Sequence, residues 1–561
     1  MRVLRTLFVG TAAVVLAALA SVLVRLPNMV DEARACGGFF CQAVPINQVA
    51  EQIIFRQNGD QVTAVVLIQY VGVAEDFSWV VPVPGVPELS TGSDVLFQSL
   101  ERATRPQFNL RIEGAACSSF DLLQGLGFLG APGESEGEDA ADGVTVVSES
   151  VVGPFDVQVV SSEDPAAMAQ WLEDNDYDLS DRGQELIEPY VEEGMNFVAL
   201  KLRQDQGVGD IRPLIMKYQS DKPMIPIRLT AVAAEDDMGV LVWLLGEARA
   251  VPLNYLHVTV NYTLVNWYFG TTTAYASYQN LITTAMNEAG GQGFATDFAG
   301  RLPDLLDQLP SDAAYSTELE RLQAIATNQS FYDELGLGFA FQSVQILQML
   351  RRELPLPEGV DEFTYQSGAL LAEVFSDAEL AAARADIEAM IQSDIIEPLA
   401  ETLTVFAGDP YMTRFFTTLS ADEMTLDPVF SFNPDLDDQA LERNATLKIE
   451  CSALAGTSWS LTLGEGTDRD GEVVLKGEGL PPTETFTAPV LDQLSVSKTE
   501  WLSERGTAEL VLQNEFAVDN VIGDADGLCG AGAGSCGAVS LGMCFVGVVG
   551  LRTIRRFRRR R

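Results

Sequence analysis

The stretch E-Q-I-I-F-R-Q-N-G-D-Q-V-T-A-V-V-L-I-Q-Y, residues 51–70, decides how the folded body begins. Apolar and polar residues alternate on both sides of Asn58-Gly59-Asp60, which is typical of two half-buried strands joined by a turn. We therefore predict a β-hairpin. The next stretch, D-F-S-W-V-V-P-V at 76–83, predicts a third strand. Its Pro82 favours the edge or the end of a sheet, because proline cannot donate a ladder hydrogen bond.

Beyond this hairpin, strand-like alternation recurs as far as residue 265, interrupted by helices. One of these helices is predicted to start at Asp164, with Pro165 at its first position. Helical periodicity then dominates, and Ser376 with Glu379 predicts a capping box. The pattern predicts an α+β chain with a β-rich α+β domain at 36–272, a helical segment at 273–426 and a small C-terminal β-rich domain at 427–522.

Length and charge limit the possible functions. At 561 residues the chain is too long for a single hydrophobic core. Of its 35 basic residues, eleven arginines lie near the termini, which leaves 24 basic against 78 acidic residues between Cys36 and Leu528, a formal net charge near −54. So acidic a body repels phosphate backbones and anionic headgroups, and we expect no nucleic-acid partner. Solubility is the simplest explanation of the charge, and cation binding is the alternative.

Residues 1–35 have the three parts of a secretory signal. A basic start precedes an uncharged apolar run at 7–24, and Ala33-Arg34-Ala35 offers the small residues that signal peptidase recognises. Cleavage after Ala35 would make Cys36 the first mature residue. A lipoprotein modified at Cys36 is a less favoured alternative. An uncleaved anchor is another, since the apolar run approaches the ~20 residues that span a bilayer.

Residues 523–561 form a second targeting element. A Gly-rich stretch with Cys529 and Cys536 precedes an apolar segment at 538–551 and a cluster of arginines that ends the chain. This order predicts a transmembrane segment with the body outside and the arginines in the cytoplasm. It resembles the tripartite sorting tags of bacterial surface proteins, particularly the myxobacterial Cys-containing type. The resemblance implies processing by a membrane sorting protease at Cys529, or secondarily at Cys536; a plain membrane anchor is the alternative.

Four cysteines lie in the predicted body, and an exported location permits disulfides. One arrangement joins Cys36 to Cys41 and Cys117 to Cys451. The alternatives pair either of the first two with Cys117 or Cys451, and spacing alone does not choose among the three connectivities. A structural zinc site is disfavoured because Cys36 and Cys41 have no second cysteine pair and no histidine beside them.

Several stretches of the body resemble one family of secreted bacterial proteins, the domain of unknown function 2330 (DUF2330) family. They are C-G-G-F-F-C (36–41), A-E-Q-I-I-F (50–55), E-D-F-S-W-V-V-P-V-P (75–84), W-L-E-D-N-D-Y (171–177), G-M-N-F-V-A-L-K-L (194–202) and D-P-V-F-S-F-N-P-D-L (427–436). The resemblance implies an extracytoplasmic protein without a known activity, and it transfers no catalytic residue. Similar members have N-G-Y where this chain has Asn175-Asp176-Tyr177, so we expect a differently built turn there.

One group of oxygen-bearing side chains has the spacing of a calcium-binding loop. Its candidate ligands are Asp174, Asp176, Asp178, Ser180 and Glu185. Against calcium, Leu179 stands where a glycine allows the sharp turn, and Arg182 occupies a ligand position. The alternative is an acidic connection with Ser180 as a helix cap. No other cofactor is predicted.

The remaining chemical signals are weak. His257 is the single histidine, so any histidine-based catalytic arrangement must centre on it, and its place in an alternating strand favours a structural role facing solvent or a polar seam. Glycines at 125, 127 and 130 match a dinucleotide fingerprint without the required strand and helix. Ser495 and Lys498 form a Ser-x-x-Lys pattern without its supporting motifs.

These observations favour an exported, surface-anchored envelope protein, non-enzymatic, that serves as a binding, adhesion or scaffold module for an unidentified extracellular ligand. An exported hydrolase that uses carboxylates is one alternative. A calcium-dependent adhesion protein is the other.

Overall fold

The structure is a computed structural model that describes most of the chain between residues 51 and 520. The described residues are 51–67, 77–114, 145–177, 181–204, 206, 210–232, 234–267, 271–301, 305–337, 344–357, 359–360, 365, 371–408, 410–452, 456–478, 493–516 and 519–520. They mix helices and strands, with strands dominating the N-terminal region, helices the middle, and strands the C-terminal part. The α+β prediction is confirmed.

The strands are numbered in chain order. They are β1 Glu51–Asn58, β2 Gln61–Leu67, β3 Ser78–Val83, β4 Glu88–Thr91, β5 Gln107–Gly114, β6 Thr145–Val152, β7 Phe155–Ser161, β8 Asn196–Leu202, β9 Leu214–Gln219, β10 Met238–Gly246, β11 Arg249–Pro252, β12 Leu256–Val260, β13 Gly293–Gly300, β14 Tyr411–Leu419, β15 Phe430–Asn433, β16 Glu442–Ser452, β17 Gly456–Leu463, β18 Val473–Glu478, β19 Val496–Trp501, β20 Glu509–Gln513 and β21 Asp519–Asn520.

The helices are also numbered in chain order. They are α1 Asp94–Thr104, α2 Pro165–Asp174, α3 Asp181–Glu192, α4 Ile227–Thr230, α5 Thr271–Ala289, α6 Leu305–Gln308, α7 Asp312–Gln323, α8 Asn328–Leu337, α9 Val344–Glu353, α10 Leu371–Val374, α11 Asp377–Met390 and α12 Glu397–Leu403. 3₁₀ turns occur at Tyr262–Leu264 and Thr404–Phe406, among others, and a π-helical turn at Ile391–Ile396 joins α11 to α12. None of the helices within the described ranges is both long and apolar enough to span a bilayer.

A ten-stranded sheet organises the molecule, in the order β20-β19-β12-β13-β14-β10-β1-β2-β9-β4. The predicted hairpin is confirmed: β1 and β2 are antiparallel, and Gly59 turns the chain with a φ of 64°. Strand β10 is buried along its whole length between β1, to which it is parallel, and β14, to which it is antiparallel. The sheet thus joins segments that are far apart in the sequence.

The other described strands form three smaller sheets. One has the order β3-β8-β7-β6, with β3 at the edge as Pro82 predicts. Another has the order β21-β18-β17-β16-β5, in which β5 runs parallel to β16. Strands β11 and β15 form the third sheet. Because two of these sheets combine strands from either side of the predicted boundaries, the division at 36–272, 273–426 and 427–522 stays a prediction of sequence organisation. The stretch 273–426 also contains strands β13 and β14.

Alternate residues of the ten-stranded sheet point to opposite faces and pack into two different hydrophobic cores. Ile53 and Phe55 of β1 pack with the four-stranded sheet and with α2 and α3. Ile54, between them, packs with Trp243 of β10 and with the helical layer α7–α12. Period-two alternation in a strand thus gives a layered structure with a sheet on one side and helices on the other. A third core lies between α5 and the five-stranded sheet.

Two helix starts predicted by the sequence are confirmed. The side chain of Asp164 accepts a hydrogen bond from the backbone N–H of Ala166 at 2.9 Å, and Pro165 opens α2. At α11 the N–H of Glu379 donates to Ser376 Oγ at 3.3 Å, and the Ser376 N–H donates to the Glu379 carboxylate at 2.8 Å. This reciprocal pair is the predicted capping box.

A buried arginine cluster, defined here as Arg414, Arg443 and Asp297, ties the central sheet to the five-stranded sheet. Arg414 Nε lies 3.2 Å from Asp297 Oδ2, and both side chains are 1% exposed. Arg443, fully buried on β16, donates from Nη2 to the backbone oxygen of Asp297 at 2.7 Å. Tyr278 O–H of α5 donates to Asp297 Oδ1 at 2.8 Å. Asp297 therefore accepts hydrogen bonds or an ion pair from three separate elements.

Candidate functional site

A cleft of about 460 Å³ opens beside strand β4 at one edge of the ten-stranded sheet. Its walls come from the β6–β7 turn, the chain between β8 and β9, the ends of α9 and α11, and the π-helical turn. The lining residues are Thr91, Gly153, Pro154, Arg203, Gln206, Asp210, Arg212, Arg352, Met390, Ser393, Asp394 and Pro398. We refer to this site as the arginine cleft.

Close packing fixes two of its walls. Gly153, in the β6–β7 turn, has a φ of 58°, and a Cβ there would meet Cγ2 of Thr91 at 2.3 Å. Glycine is therefore needed for the turn to approach β4. On the other side, the N–H of Gly92 donates to the backbone oxygen of Pro213 at 2.6 Å, which holds the start of β9 against the end of β4. Both contacts place the neighbouring arginines at defined positions.

Three arginines converge on the cleft from different parts of the chain. Arg203 follows β8, and its N–H donates to the backbone oxygen of Pro154 at 3.0 Å. Arg212 precedes β9 and is 4% exposed. Arg352, near the end of α9, donates from Nη1 to Asp210 Oδ1 at 2.9 Å, and its side chain remains 32% exposed. At least one guanidinium group therefore has contact with solvent inside the cleft.

The residues that line the cleft include more basic than acidic side chains, although the chain as a whole has a formal net charge of −45. Three arginines and two acids, Asp210 and Asp394, line it, and Glu353 Oε1 lies 3.5 Å from Arg352 Nε. The field of Arg212 also reaches Asp94 at the start of α1: burial raises the pKa of Asp94, and Arg212 opposes that rise. A small anion entering the cleft would meet guanidinium groups in a chain that is otherwise strongly acidic.

The π-helical turn shapes one side of the cleft. Ile391, Ile395 and Ile396 face the core, while Ser393 and Asp394 line the cleft. Ser393 Oγ donates to Asp394 Oδ1 at 2.5 Å. A π turn widens a helix by one residue per turn and is frequent at functional sites, because it redirects side chains without ending the helix. Here it adds a hydroxyl and a carboxylate to a site otherwise dominated by arginines.

His257 lies in a polar seam, which is one of the two predicted settings. Its Nε2 is 2.9 Å from Thr296 Oγ1, and its Nδ1 is 3.4 Å from Glu500 Oε2. Burial lowers the pKa of His257, and the hydrogen bond to His257 lowers the pKa of Glu500 to about 2. Arg249 Nη2 approaches the same Thr296 oxygen at 3.4 Å, while Lys498 Nζ binds Glu500 at 3.0 Å. These contacts link β12, β13 and β19, and they favour a structural role.

Two buried carboxylates that could belong to a hydrolytic site are engaged by arginines instead. Burial raises the pKa of both Asp297 and Asp427. Asp297 pairs with Arg414, and Asp427 accepts from Arg228 Nε at 2.7 Å and from Tyr190 O–H at 2.8 Å. These bonds account for both carboxylates as parts of the packing between elements.

The predicted calcium ligands are only partly described. Asp174 ends α2 and accepts from Gln170 Nε2 at 2.8 Å, Glu185 lies exposed on α3, and Asp178 and Ser180 lie outside the described residues. Asp176 has a φ of 52°, in the left-handed region that glycine adopts readily and aspartate tolerates. Within the described ranges, no group of three or more His, Cys, Asp or Glu side chains is placed to hold a metal. The five-residue calcium site stays a prediction.

The other predicted site residues lie mostly outside the described part of the chain. Ala35, Cys36, Cys41, Cys117, Cys529 and Cys536 are among these, as are the signal at 1–35 and the segment at 538–551. The backbone of Cys451 lies on β16 opposite Thr457. The disulfide connectivity and both processing positions therefore stay predictions.

Sequence reasoning missed the arginine cleft. Arg203, Arg212 and Arg352 belong to no motif, and five strands of two sheets, β9 to β13, separate Arg352 from the other two along the chain. The sequence contains one relevant signal, because basic residues are few in the body of this acidic chain. Their small number does not predict which of them lie close together in the folded protein.

Comparison with known proteins gives one match. A family model described as an uncharacterized protein conserved in bacteria, DUF2330, matches residues 30–320, about half of the chain. No curated protein and no solved structure matches. The matched range includes Arg203 and Arg212 but ends before Arg352.

Proposed function

The chain belongs to the DUF2330 family of bacterial proteins, and we propose that it is an exported envelope protein that binds a small anion in the arginine cleft. The observation that supports this most directly is the convergence of three arginines on one cleft in a chain with a net charge of −45. Arginine presents a planar fork of donors that matches carboxylate and phosphate oxygens, which suits recognition of such groups.

The size and the surroundings of the cleft limit the ligand. Its volume of about 460 Å³ falls within the range of small-molecule sites, roughly 300–1,000 Å³. The acidic body around it disfavours an extended polyanion, because each further phosphate would lie against negative charge. A compact metabolite-sized anion with carboxylate or phosphate groups fits both conditions. Ser393 and Asp394 add acceptors for a hydroxyl or ammonium group on the same ligand.

The location outside the cytoplasm rests on the sequence. The segment 1–35 has the pattern that signal peptidase recognises, and 523–561 has the pattern of a sorting tail processed by a membrane protease or retained as a membrane anchor. An extracellular small anion would then reach the cleft directly, and nucleic acid is not expected as a partner. Disulfides among the four body cysteines fit the same location.

Anion binding can be measured by isothermal titration calorimetry of the full chain with inorganic phosphate and with citrate. We expect saturable binding of at least one of them, weaker in 500 mM than in 50 mM NaCl because the attraction is screened. Arg352→Gln and Arg203→Gln should each raise the Kd about tenfold or more, as expected for the loss of a hydrogen bond to a charged group.

Arg321→Gln is the matched control, since Arg321 is also an ion-paired arginine but lies on α7 against Glu318 and Glu334. It should bind both anions like the wild type. The proposal is wrong if neither anion gives saturable heat, or if the cleft variants and the control bind equally.

Export can be tested by mass-spectrometric mapping of both termini in protein taken from the native envelope. We expect the chain to start at Cys36 and to end near Cys529. An intact Met1 together with an intact Arg561 would contradict both cleavage and sorting and would leave a doubly anchored protein.

A further inference from the structure

The charged groups that line the arginine cleft come from different walls. Arg203 and Arg212 lie on the chain between β8 and β9, whereas Asp394 lies on the π-helical turn between α11 and α12. The lining residues of this helical wall share one face of the helix, since they are spaced three to four positions apart. They are Met390, Ser393, Asp394 and Pro398. This wall therefore contributes a carboxylate and no basic side chain to the cleft.

The two acids of the cleft differ in their partners. Asp210 accepts a hydrogen bond from Arg352 Nη1 at 2.9 Å, so a cation of the protein already binds it. Asp394 accepts from Ser393 Oγ, a neutral donor, at 2.5 Å. Among the ion pairs that the described residues form, none includes Asp394. Asp394 is thus a carboxylate that borders the cavity without a basic side chain of the protein as its partner.

One of the arginines lies close to this carboxylate along the helix. Arg352 Nη2 contacts Sδ of Met390, which precedes Asp394 by four residues. A helical rise of about 1.5 Å per residue separates the backbones of these two positions by about 6 Å along the axis. The guanidinium group of Arg352 therefore lies beside the helix about one turn before Asp394. A compact ligand can span this interval and contact both side chains at once.

We propose that the ligand of the cleft is a zwitterion, with its carboxylate or phosphate group on the arginines and an ammonium group on Asp394. This inference rests on the proposed binding of an anion and adds the second group that the site selects. A ligand without a positive charge would bring its anionic group near the carboxylate of Asp394, and like charges repel. An ammonium group replaces that repulsion with a charge-assisted hydrogen bond. Asp394 is thus a specificity-determining residue.

An ammonium group suits this wall better than a hydroxyl group does. An ammonium group has three donors and a positive charge, whereas a hydroxyl group has one donor and no charge. A carboxylate has about four lone-pair sites, so the bond from Ser393 leaves acceptor positions on Asp394. Ser393 Oγ can itself accept from the same ammonium group while it donates to Asp394. Amino acids and phosphate esters of amino alcohols are compounds of this class.

Isothermal titration calorimetry of the full chain with two matched series of compounds tests the proposal. Succinate, L-malate and L-aspartate have hydrogen, hydroxyl and ammonium on the same carbon, and ethyl phosphate is matched with phosphoethanolamine. In at least one series the ammonium compound should bind about tenfold tighter than its amine-free counterpart, with malate closer to succinate. If the amine-free anions bind and the ammonium compounds bind no tighter, the zwitterion is wrong while anion binding stands. If none of the compounds gives saturable heat, both proposals are wrong.

The role of Asp394 can be tested with a pair of variants. Asp394→Asn should abolish the preference for the ammonium compound and bind the amine-free anion at least as tightly as the wild type, which also shows that the variant is folded. Glu397→Gln is the matched control, because it removes the same charge three residues later from an exposed side chain that accepts from Gln392 and does not line the cleft. It should keep the wild-type preference. An undiminished preference in Asp394→Asn, or an equal loss in both variants, overturns the assignment.

Discussion

The buried arginine cluster and the arginine cleft use the same side chain in opposite settings. In the cluster, Arg414 and Arg443 are 1% and 0% exposed, and both bind Asp297. In the cleft, the side chain of Arg352 is about one-third exposed, and it borders the cavity while it contacts Asp210, Glu353 and Met390. A guanidinium group enclosed by protein acceptors holds elements together, whereas one that borders a cavity can also serve a ligand. Partner geometry and solvent contact, and not residue type, separate the two roles.

The largest expected effect is on the cluster. Asp297→Asn keeps the shape of the side chain but removes the buried carboxylate 3.2 Å from Arg414 Nε, and leaves Glu101 Oε1, at 3.4 Å and partly exposed, as the remaining acidic partner of Arg414. Breaking a buried pair costs about 3–5 kcal/mol of unfolding free energy, and we expect a loss near the lower end of this range. Urea denaturation monitored by fluorescence measures the loss. Arg352→Gln in the cleft is the matched comparison, and its partly exposed pair should contribute less than about 1 kcal/mol. Equal losses in the two variants would remove the distinction between the two regions.

We expect a smaller change in the free energy of unfolding from the effect of pH on the Glu500–His257 contact. The hydrogen bond to His257 lowers the pKa of Glu500 to about 2, from an ordinary value near 4.5. Its contribution to stability is therefore complete above pH 4.5 and disappears as the pH falls from 4.5 to 2. Allowing for solvent screening, we expect a loss of about 1–3 kcal/mol over this range.

Urea denaturation of wild type and Glu500→Gln at several pH values between 5.5 and 2.5 measures this contribution. The variant should show a shallower pH dependence, and the exposed Glu188→Gln should keep the wild-type slope. Burial also lowers the pKa of His257, so its protonation disfavours the folded state as the pH falls below about 6.5. Identical profiles of wild type and Glu500→Gln would show that the contact contributes no stability.

The sequence predicts the local parts of this fold well. The β1–β2 hairpin follows from alternation around Asn58-Gly59-Asp60, and the start of α11 from the spacing of Ser376 and Glu379. In both cases the interacting residues are neighbours in the chain, so the pattern contains the contact. Pro82 favours the edge or the end of a sheet, and β3 lies at the edge.

The assembly of these parts could not be predicted from one sequence. Strand β13, G-F-A-T-D-F-A-G, lies in a region of helical periodicity and is buried along its whole length, so it lacks the alternation that marks a half-buried strand. The arginine cleft could not be predicted for the same reason. Arg203 and Arg352 come to line one cleft only after the four-stranded sheet, the ten-stranded sheet and the helical layer have packed together. Long-range pairing leaves no periodic trace, which is why the site was missed while its surrounding elements were found.

The parallel pairing of β5 with β16 has a consequence for the time course of synthesis. Its register joins Gln107 to Glu442, so the first strand emerges from the ribosome on the order of tens of seconds before its partner at roughly 5–20 residues per second. The central sheet is delayed in the same way, because β10 cannot pair with β14 until β14 has been synthesised. The N-terminal half must therefore stay incompletely folded until most of the chain exists. Such a high contact order slows folding, and a nascent chain that stays open is compatible with the export proposed above.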